Sequence, residues 1–241
     1  MRRRRPGLRV AVRGRLIPKE ADSIRGERWK DGEAFLEHFR VLSERLDGKR
    51  LRKTRKPRRR FAMLEFLRSL PLTGAVAECG CKNGVSATLI AEYLRDAGHA
   101  HVGFEIFDSF EGGLSAPVPA DLDPDRPLEL EGRFSIPLER VRENLREFPF
   151  ITYHPGWIPE SFAAAGDRPY SFVHIDLDLY EPILASLEYF YPRLTHPGAI
   201  AVDDIDSSQY LGAKRAVDAF ASKHGFPYIN TTVGYAIFLR Y

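Results

Sequence analysis

Four aspartates in the C-terminal half of the chain are spaced to do chemistry. Ser171-Phe172-Val173-His174-Ile175 is an apolar, β-branched run that stops at Asp176 and Asp178, and Gly198-Ala199-Ile200-Ala201-Val202 stops at Asp203 and Asp204. Buried parallel strands read as continuous apolar runs, and acids where such runs end suggest a sheet edge that opens into a site. Between them lies a helix-length segment, Glu181 to Leu194, halted by His196-Pro197-Gly198. A right-handed strand–helix–strand crossover brings both carboxyl ends to one edge, the edge where doubly wound sheets bind ligands. Adjacent strands lie about 5 Å apart, so Asp176, Asp203 and Asp204 should converge. Clustered carboxylates repel unless protonated or neutralised by a cation. Oxygen ligands favour a hard ion such as Mg²⁺ or Ca²⁺. The same acids would otherwise be ordinary caps and loop formers.

A second chemical stretch lies upstream. Ala75-Val76-Ala77-Glu78-Cys79 reads as a short strand, Gly80 to Gly84 as a turn, and Ser86 to Arg95 as a helix. The glycines permit a tight turn and close ligand approach. The spacing lacks the middle glycine of a dinucleotide fingerprint, and Glu78 would repel a phosphate but attract a cation. A phosphate-free, positively charged cofactor such as S-adenosylmethionine suits that pairing, and a nicotinamide reductase does not. The next strand, His101 to Phe107, is followed by Asp108. An acid there commonly takes the ribose hydroxyls; Glu105 and Asp108 both qualify.

The elements that must position these residues follow from periodicity. Helical stripes cover Glu33 to Leu46, Phe61 to Leu70, Leu138 to Phe148 and Tyr210 to His224; strands are expected at Ile151 to His154, Ile229 to Thr232 and Tyr235 to Tyr241. Leu114 to Pro137, rich in Pro and Asp, suggests a lid. Residues 1–60 hold 22 Lys and Arg against 8 Asp and Glu, net +14, whereas the rest is net −11. A basic, partly helical extension over 1–60 therefore precedes an acidic domain over 61–241. Lys49 to Arg60 packs nine basic residues into twelve. That run could meet phosphate, form a solvated face or pair with the acidic body; no aromatics are interleaved for base stacking. Cys79 and Cys81 are too close for a disulfide and read as reduced thiols. With no 18-residue apolar run and no signal-peptide core after the basic start, a cytoplasmic protein is expected.

Taken together, Glu78-x-Gly80-x-x-x-Gly84-x-Ser86, Asp108-Ser109-Phe110-Glu111-Gly112, Pro155-Gly156-Trp157, His174-Ile175-Asp176-Leu177-Asp178-Leu179-Tyr180-Glu181, Tyr191-Pro192-Arg193-Leu194, Val202-Asp203-Asp204 and Gly212-Ala213-Lys214-Arg215-Ala216-Val217-Asp218 resemble the macrocin O-methyltransferase family. The resemblance runs from about Gly74 onward. It implies a doubly wound, seven-stranded Rossmann-like class I methyltransferase sheet with the last strand antiparallel. It also implies methyl transfer from S-adenosylmethionine to a hydroxyl of a sugar or glycosylated natural product, with Mg²⁺. By position, Asp176, Asp203 and Asp204 would hold the metal, and Asp176 would be the general base with His174 assisting. Glu78, Gly80, Gly84, Ser86, Ser109, Gly156 and Trp157 would line the cofactor, with Asp108 or Glu105 on its ribose. Gly113-Leu114-Ser115 and Ile205 depart from the family pattern where acceptor contacts are expected. The partner expected is a small-molecule or sugar hydroxyl, with homo-oligomerisation open. The rival reading is a methyltransferase for nucleic acid, or for another small molecule, that uses the basic arm for its partner.

Overall fold

The computed structural model describes residues 28–48, 56–113 and 134–241. The expected lid over Leu114 to Pro137 lies outside them except for its last four residues, as does the basic run before Lys56. Two helices come first, α1 (Arg28–Asp47) and α2 (Lys56–Arg68). There follow β1 (Ala75–Cys79), α3 (Val85–Asp96), β2 (Phe104–Asp108), α4 (Leu138–Asn144), β3 (Ile151–Pro155), β4 (Tyr170–Ile175) and α5 (Tyr180–Phe190). The chain ends with β5 (Leu194–Val202), α6 (Leu211–His224), β6 (Ile229–Asn230) and β7 (Ala236–Arg240). The seven strands form one sheet in the order β3-β2-β1-β4-β5-β7-β6. β7 alone runs against its neighbours β5 and β6, as the resemblance implies.

Period-two alternation along the central strands divides the core into two layers. Val76 and Phe172 face α1, α2, α3 and α4, meeting Leu42, Leu67, Ile90 and Val141 among others. Ala77, Val173 and Ile200 face α5 and α6, meeting Leu187, Phe190, Val217 and Phe220. β1 and β4 are buried at every position, which is why their sequences read as unbroken apolar runs.

Helix α2 crosses the boundary expected after Arg60. Its C-terminal half buries Met63, Leu64 and Leu67 under the sheet, and α1 buries Phe39, Leu42 and Leu46 in the same layer. Pro57 falls in the first turn of α2, where a missing N–H costs no helical hydrogen bond.

Two edges differ from expectation. α5 stops at Phe190 because Pro192 cannot continue it, and a 3₁₀ turn over Tyr191–Arg193 leads directly into β5. The β4–β5 register jumps from Tyr170↔Leu194 to Phe172↔Ala199, so Pro197, which has no N–H to donate, sits in the irregular stretch of the ladder. At the start of β2, Ala100–Val102 form a 3₁₀ turn with His101 Nδ1 3.1 Å from the Gly98 carbonyl, leaving Phe104 to open the strand.

Candidate active site

The ends of β4 and β5 deliver the acids. The ladder runs one residue past each strand: Asp176 N–H donates to the Cys79 carbonyl at 2.9 Å, and Asp203 N–H to the Ile175 carbonyl at 2.8 Å. Asp178 and Asp204 then turn through left-handed backbone, with φ of 61° and 60°. Such conformations are costly for residues with a Cβ and persist where the surroundings enforce them. Asp176, Asp178 and Asp204 each place one oxygen within 4.8 Å of the others. Three hard oxygen donors at that spacing fit a divalent cation such as Mg²⁺.

Two guanidinium groups from α2 enter the same cluster. Arg60 Nη2 donates to Asp176 Oδ2 at 2.6 Å, and its Nη1 to Asp203 Oδ2 at 2.6 Å. Arg59 Nη1 donates to Asp203 Oδ1 at 3.1 Å and to Asp204, and its Nη2 donates to Asp206. Of the three expected metal ligands, Asp203 is therefore engaged by arginine on both oxygens and is 3% exposed. Asp178, outside the expected set, has no arginine contact among the described pairs, and Lys56 is the cation whose charge acts on it. Its signal was visible as the second acid of the strand-end run. The signal for Arg59 and Arg60 was the opposed charge of the two parts of the chain.

Ionisation differs across the cluster. Burial would raise the Asp176 carboxyl, but Arg60 and then His174 outweigh it and hold it below the usual range. Burial, followed by the charges of Asp176, Asp204 and Asp203, pushes Asp178 well above that range. Burial, Asp176 and Asp203 raise Asp204 to about 6 against the pull of Arg59.

His174 is fully buried. It pairs across the β1–β4 register with Glu78, Nδ1 to Oε1 at 2.8 Å. Its Nε2 lies 3.2 Å from Tyr235 Oη and 3.3 Å from Arg60 Nη1. These contacts tie it to three partners behind the acids. The second oxygen of Glu78 is buried with no hydrogen-bond partner among the described residues.

A cavity of about 1740 Å³ joins the acid cluster to the turn after β1. Gly80, Ser86, Asp108, Ser109, Gly156 and Trp157 line it, together with Asp176, Asp178, Asp203 and Asp204; Glu78, Gly84, Glu105 and His174 do not. Asp108 organises the turn: its Oδ2 accepts from the N–H groups of Cys81 and Lys82 at 2.7 and 3.1 Å, and its Oδ1 accepts from Phe110 N–H at 2.7 Å. Glu105 is held elsewhere, by Arg168 at 2.7 Å and the Tyr170 hydroxyl at 2.6 Å. Gly80, at φ 85°, has a further constraint besides its turn: a Cβ there would collide with the Asp176 carbonyl oxygen. Trp157 lies across Gly112, where a Cβ would meet its ring at 2.7 Å.

The family model described as macrocin-O-methyltransferase (TylF) matches residues 53–239. The chain belongs to this family. The macrocin-O-methyltransferase match starts upstream of α2, so Arg59 and Arg60 fall within it. Among curated proteins, the chain is similar to the 8-demethyl-8-(2,3-dimethoxy-alpha-L-rhamnosyl)-tetracenomycin-C 4'-O-methyltransferase of Streptomyces olivaceus. They share 31% identity over 139 residues, covering 54% of this chain and 52% of that protein. It is also similar to the demethyldecarbamoylnovobiocin O-methyltransferase of Streptomyces niveus, at 28% over 157 residues, 62% and 59% of the two chains. The chain thus spans between half and three fifths of the length of these curated relatives. Among solved structures, the O-methyltransferase NovP superposes with a TM-score of 0.65 at 22% identity, covering 83% of this chain and 88% of that one. The calicheamicin methyltransferase CalS11 superposes with 0.60 at 21%, covering 98% and 99%. Both share the fold of this member of the macrocin-O-methyltransferase family.

Proposed function

We propose that the chain is an S-adenosylmethionine-dependent O-methyltransferase acting on a hydroxyl of a sugar or glycosylated natural product, with a divalent ion such as Mg²⁺. The observation that carries this reading is that one continuous cavity has two chemically different ends, the turn after β1 and the acid cluster. Family membership and the curated relatives, both named for O-methyl transfer, support it. S-adenosylmethionine supplies an electrophilic methyl group on a sulfonium. Gly80, Ser86, Asp108, Ser109, Gly156 and Trp157 are the residues we assign to holding it, and the partnerless oxygen of Glu78 supplies negative charge beside the turn.

Displacement at a methyl group needs the attacking oxygen aligned with the leaving sulfur, so positioning carries much of the rate. A sugar hydroxyl is also hardly ionised at neutral pH. A divalent ion held by Asp176, Asp178 and Asp204 would supply positive charge that favours the deprotonated acceptor. We assign the proton acceptor to a carboxylate oxygen of Asp178. Asp178 has no arginine contact among the described pairs, whereas Arg60 occupies Asp176 Oδ2. His174 then orients Glu78 and Tyr235 and does not touch the acceptor. The nucleic-acid reading loses two of its cations, because Arg59 and Arg60 point inward to aspartates.

The test is transfer of labelled methyl from S-adenosylmethionine to a panel of free sugars, nucleotide sugars, glycosylated polyketides and RNA, with and without chelator. Labelling of glycosylated acceptors, lost on chelation and restored by Mg²⁺, is expected. Labelling of RNA alone would overturn the acceptor class, and full activity under chelation would remove the ion.

A further inference from the structure

The acid cluster carries cations of its own. Asp203 has one oxygen on each arginine, Asp176 is held by Arg60, and Asp204 and Asp206 are held by Arg59. Both arginine side chains are only 10% exposed. Neither contact set is incidental to a surface: the guanidinium groups sit where charge is poorly screened, and each holds two or more carboxylates. Arg60 also reaches Tyr235, with Nη1 donating to its Oη at 2.6 Å.

These arginines occupy one half of the cluster and leave the other half without a guanidinium, although the charge of Lys56, which lines the same cavity, acts on Asp176 and Asp178. Asp203 and one oxygen each of Asp176 and Asp204 face guanidinium; Asp178 has no arginine contact among the described pairs and completes the trio that fits an ion. We propose that Arg59 and Arg60 are resident counter-cations of the acid cluster. They hold Asp176, Asp203 and Asp204 together without a metal, and they compete with any divalent ion for the same carboxylates. The inference rests on the reading of this cluster as the acceptor end of a methyltransferase site. Its physical basis is that like charges within a few ångströms repel strongly where water is scarce, so two guanidinium groups beside that trio must weaken the binding of a further cation. The helix α2 thereby sets how readily the site responds to metal.

The experiment is a Mn²⁺ titration of the full chain, with free Mn²⁺ followed by electron paramagnetic resonance. It compares wild type with Arg59→Gln, Arg60→Gln and Arg60→Lys. Binding of S-adenosylhomocysteine to each protein is measured by calorimetry, and folding by thermal melting. Removing one competing charge should tighten Mn²⁺ binding roughly tenfold, while Arg60→Lys, which keeps the charge, should stay near wild type. Measurable but weaker Mn²⁺ binding by wild type than by the Gln variants would support the proposal. Unchanged or weaker binding in the Gln variants, or none in any protein, would overturn it and leave the arginines as scaffold. If Arg60→Gln fails to fold, Arg59→Gln still decides, because Arg59 touches Asp204 of the trio. Failure of the methyltransferase reading itself would appear separately, as wild type that does not bind S-adenosylhomocysteine.

Discussion

Two aspartates two residues apart on one strand end, Asp176 and Asp178, divide the work because their neighbours differ. Asp176 faces a guanidinium and stays charged; Asp178 faces other carboxylates and holds protons more tightly. Asp178→Asn should lower methyl transfer by about 10²- to 10⁴-fold, the range for loss of a general base. Affinity for S-adenosylhomocysteine should hold within about twofold, since Asp178 is assigned to the acceptor; a parallel loss of cofactor binding would place it in the cofactor site instead. Asp204 yields a pH prediction. Its folded value of about 6 lies above the ordinary carboxylate value of about 4. The folded state therefore binds more protons in that window, and this contribution to stability is lost as pH rises from about 4 to 6. In metal-free buffer, Asp204→Asn should lose less melting temperature across that interval than wild type. Added Mg²⁺ should offset part of the wild-type loss. At this scale the sequence was legible for residue type and place: Asp176, Asp203 and Asp204 do converge. It could not show which charges face which carboxylate, because Arg60 lies 116 residues from Asp176 and 143 from Asp203.

At the scale of elements, α2 belongs to two layers at once, its arginines in the cluster and Met63, Leu64 and Leu67 in the core. A chain beginning at residue 53 should retain both roles. One beginning at Phe61 would leave buried carboxylates unpaired, which typically costs about 3–5 kcal/mol. It should melt well below the longer form, with weakened cofactor binding if it folds at all; equal melting temperatures would show that α2 only decorates the domain. Leu67→Ala, at a position with no exposure, should cost about 2–5 kcal/mol with the arginine contacts intact. Denaturant unfolding of the two changes separates packing from charge. Strands β1 and β4 and helix α6 were readable because their apolar patterns match their burial. The short first turn of α2 was not, since Lys56 to Arg60 carries no apolar stripe and its helix is completed by ion pairs with residues far along the chain.

For the whole molecule, one cavity links the turn after β1 to the ends of β4 and β5, so a ligand at one end should stabilise everything that lines it. S-adenosylhomocysteine at 100 times its Kd should add about 2.7 kcal/mol to the unfolding free energy, and NAD nothing. A shift in melting temperature with NAD alone would sink the cofactor assignment. The seven strands and the reversed last one were legible through the resemblance to the macrocin O-methyltransferase family, not from the elements alone. The cavity's outline was not legible, because it depends on how α1 and α2 close over the sheet. Those two helices also carry a consequence for the order of assembly. On the ribosome, Arg59 and Arg60 emerge long before their partners, and Asp203, Asp204 and Asp206 are made more than 140 residues later. Contacts that far apart in sequence close slowly. Until they close, a half-made chain holds two guanidinium groups without the carboxylates that pair with them in the fold and an apolar layer with no lid. A pause in synthesis anywhere between β1 and β5 should therefore leave a basic, adhesive intermediate, and the last strands to arrive are the ones that quench it.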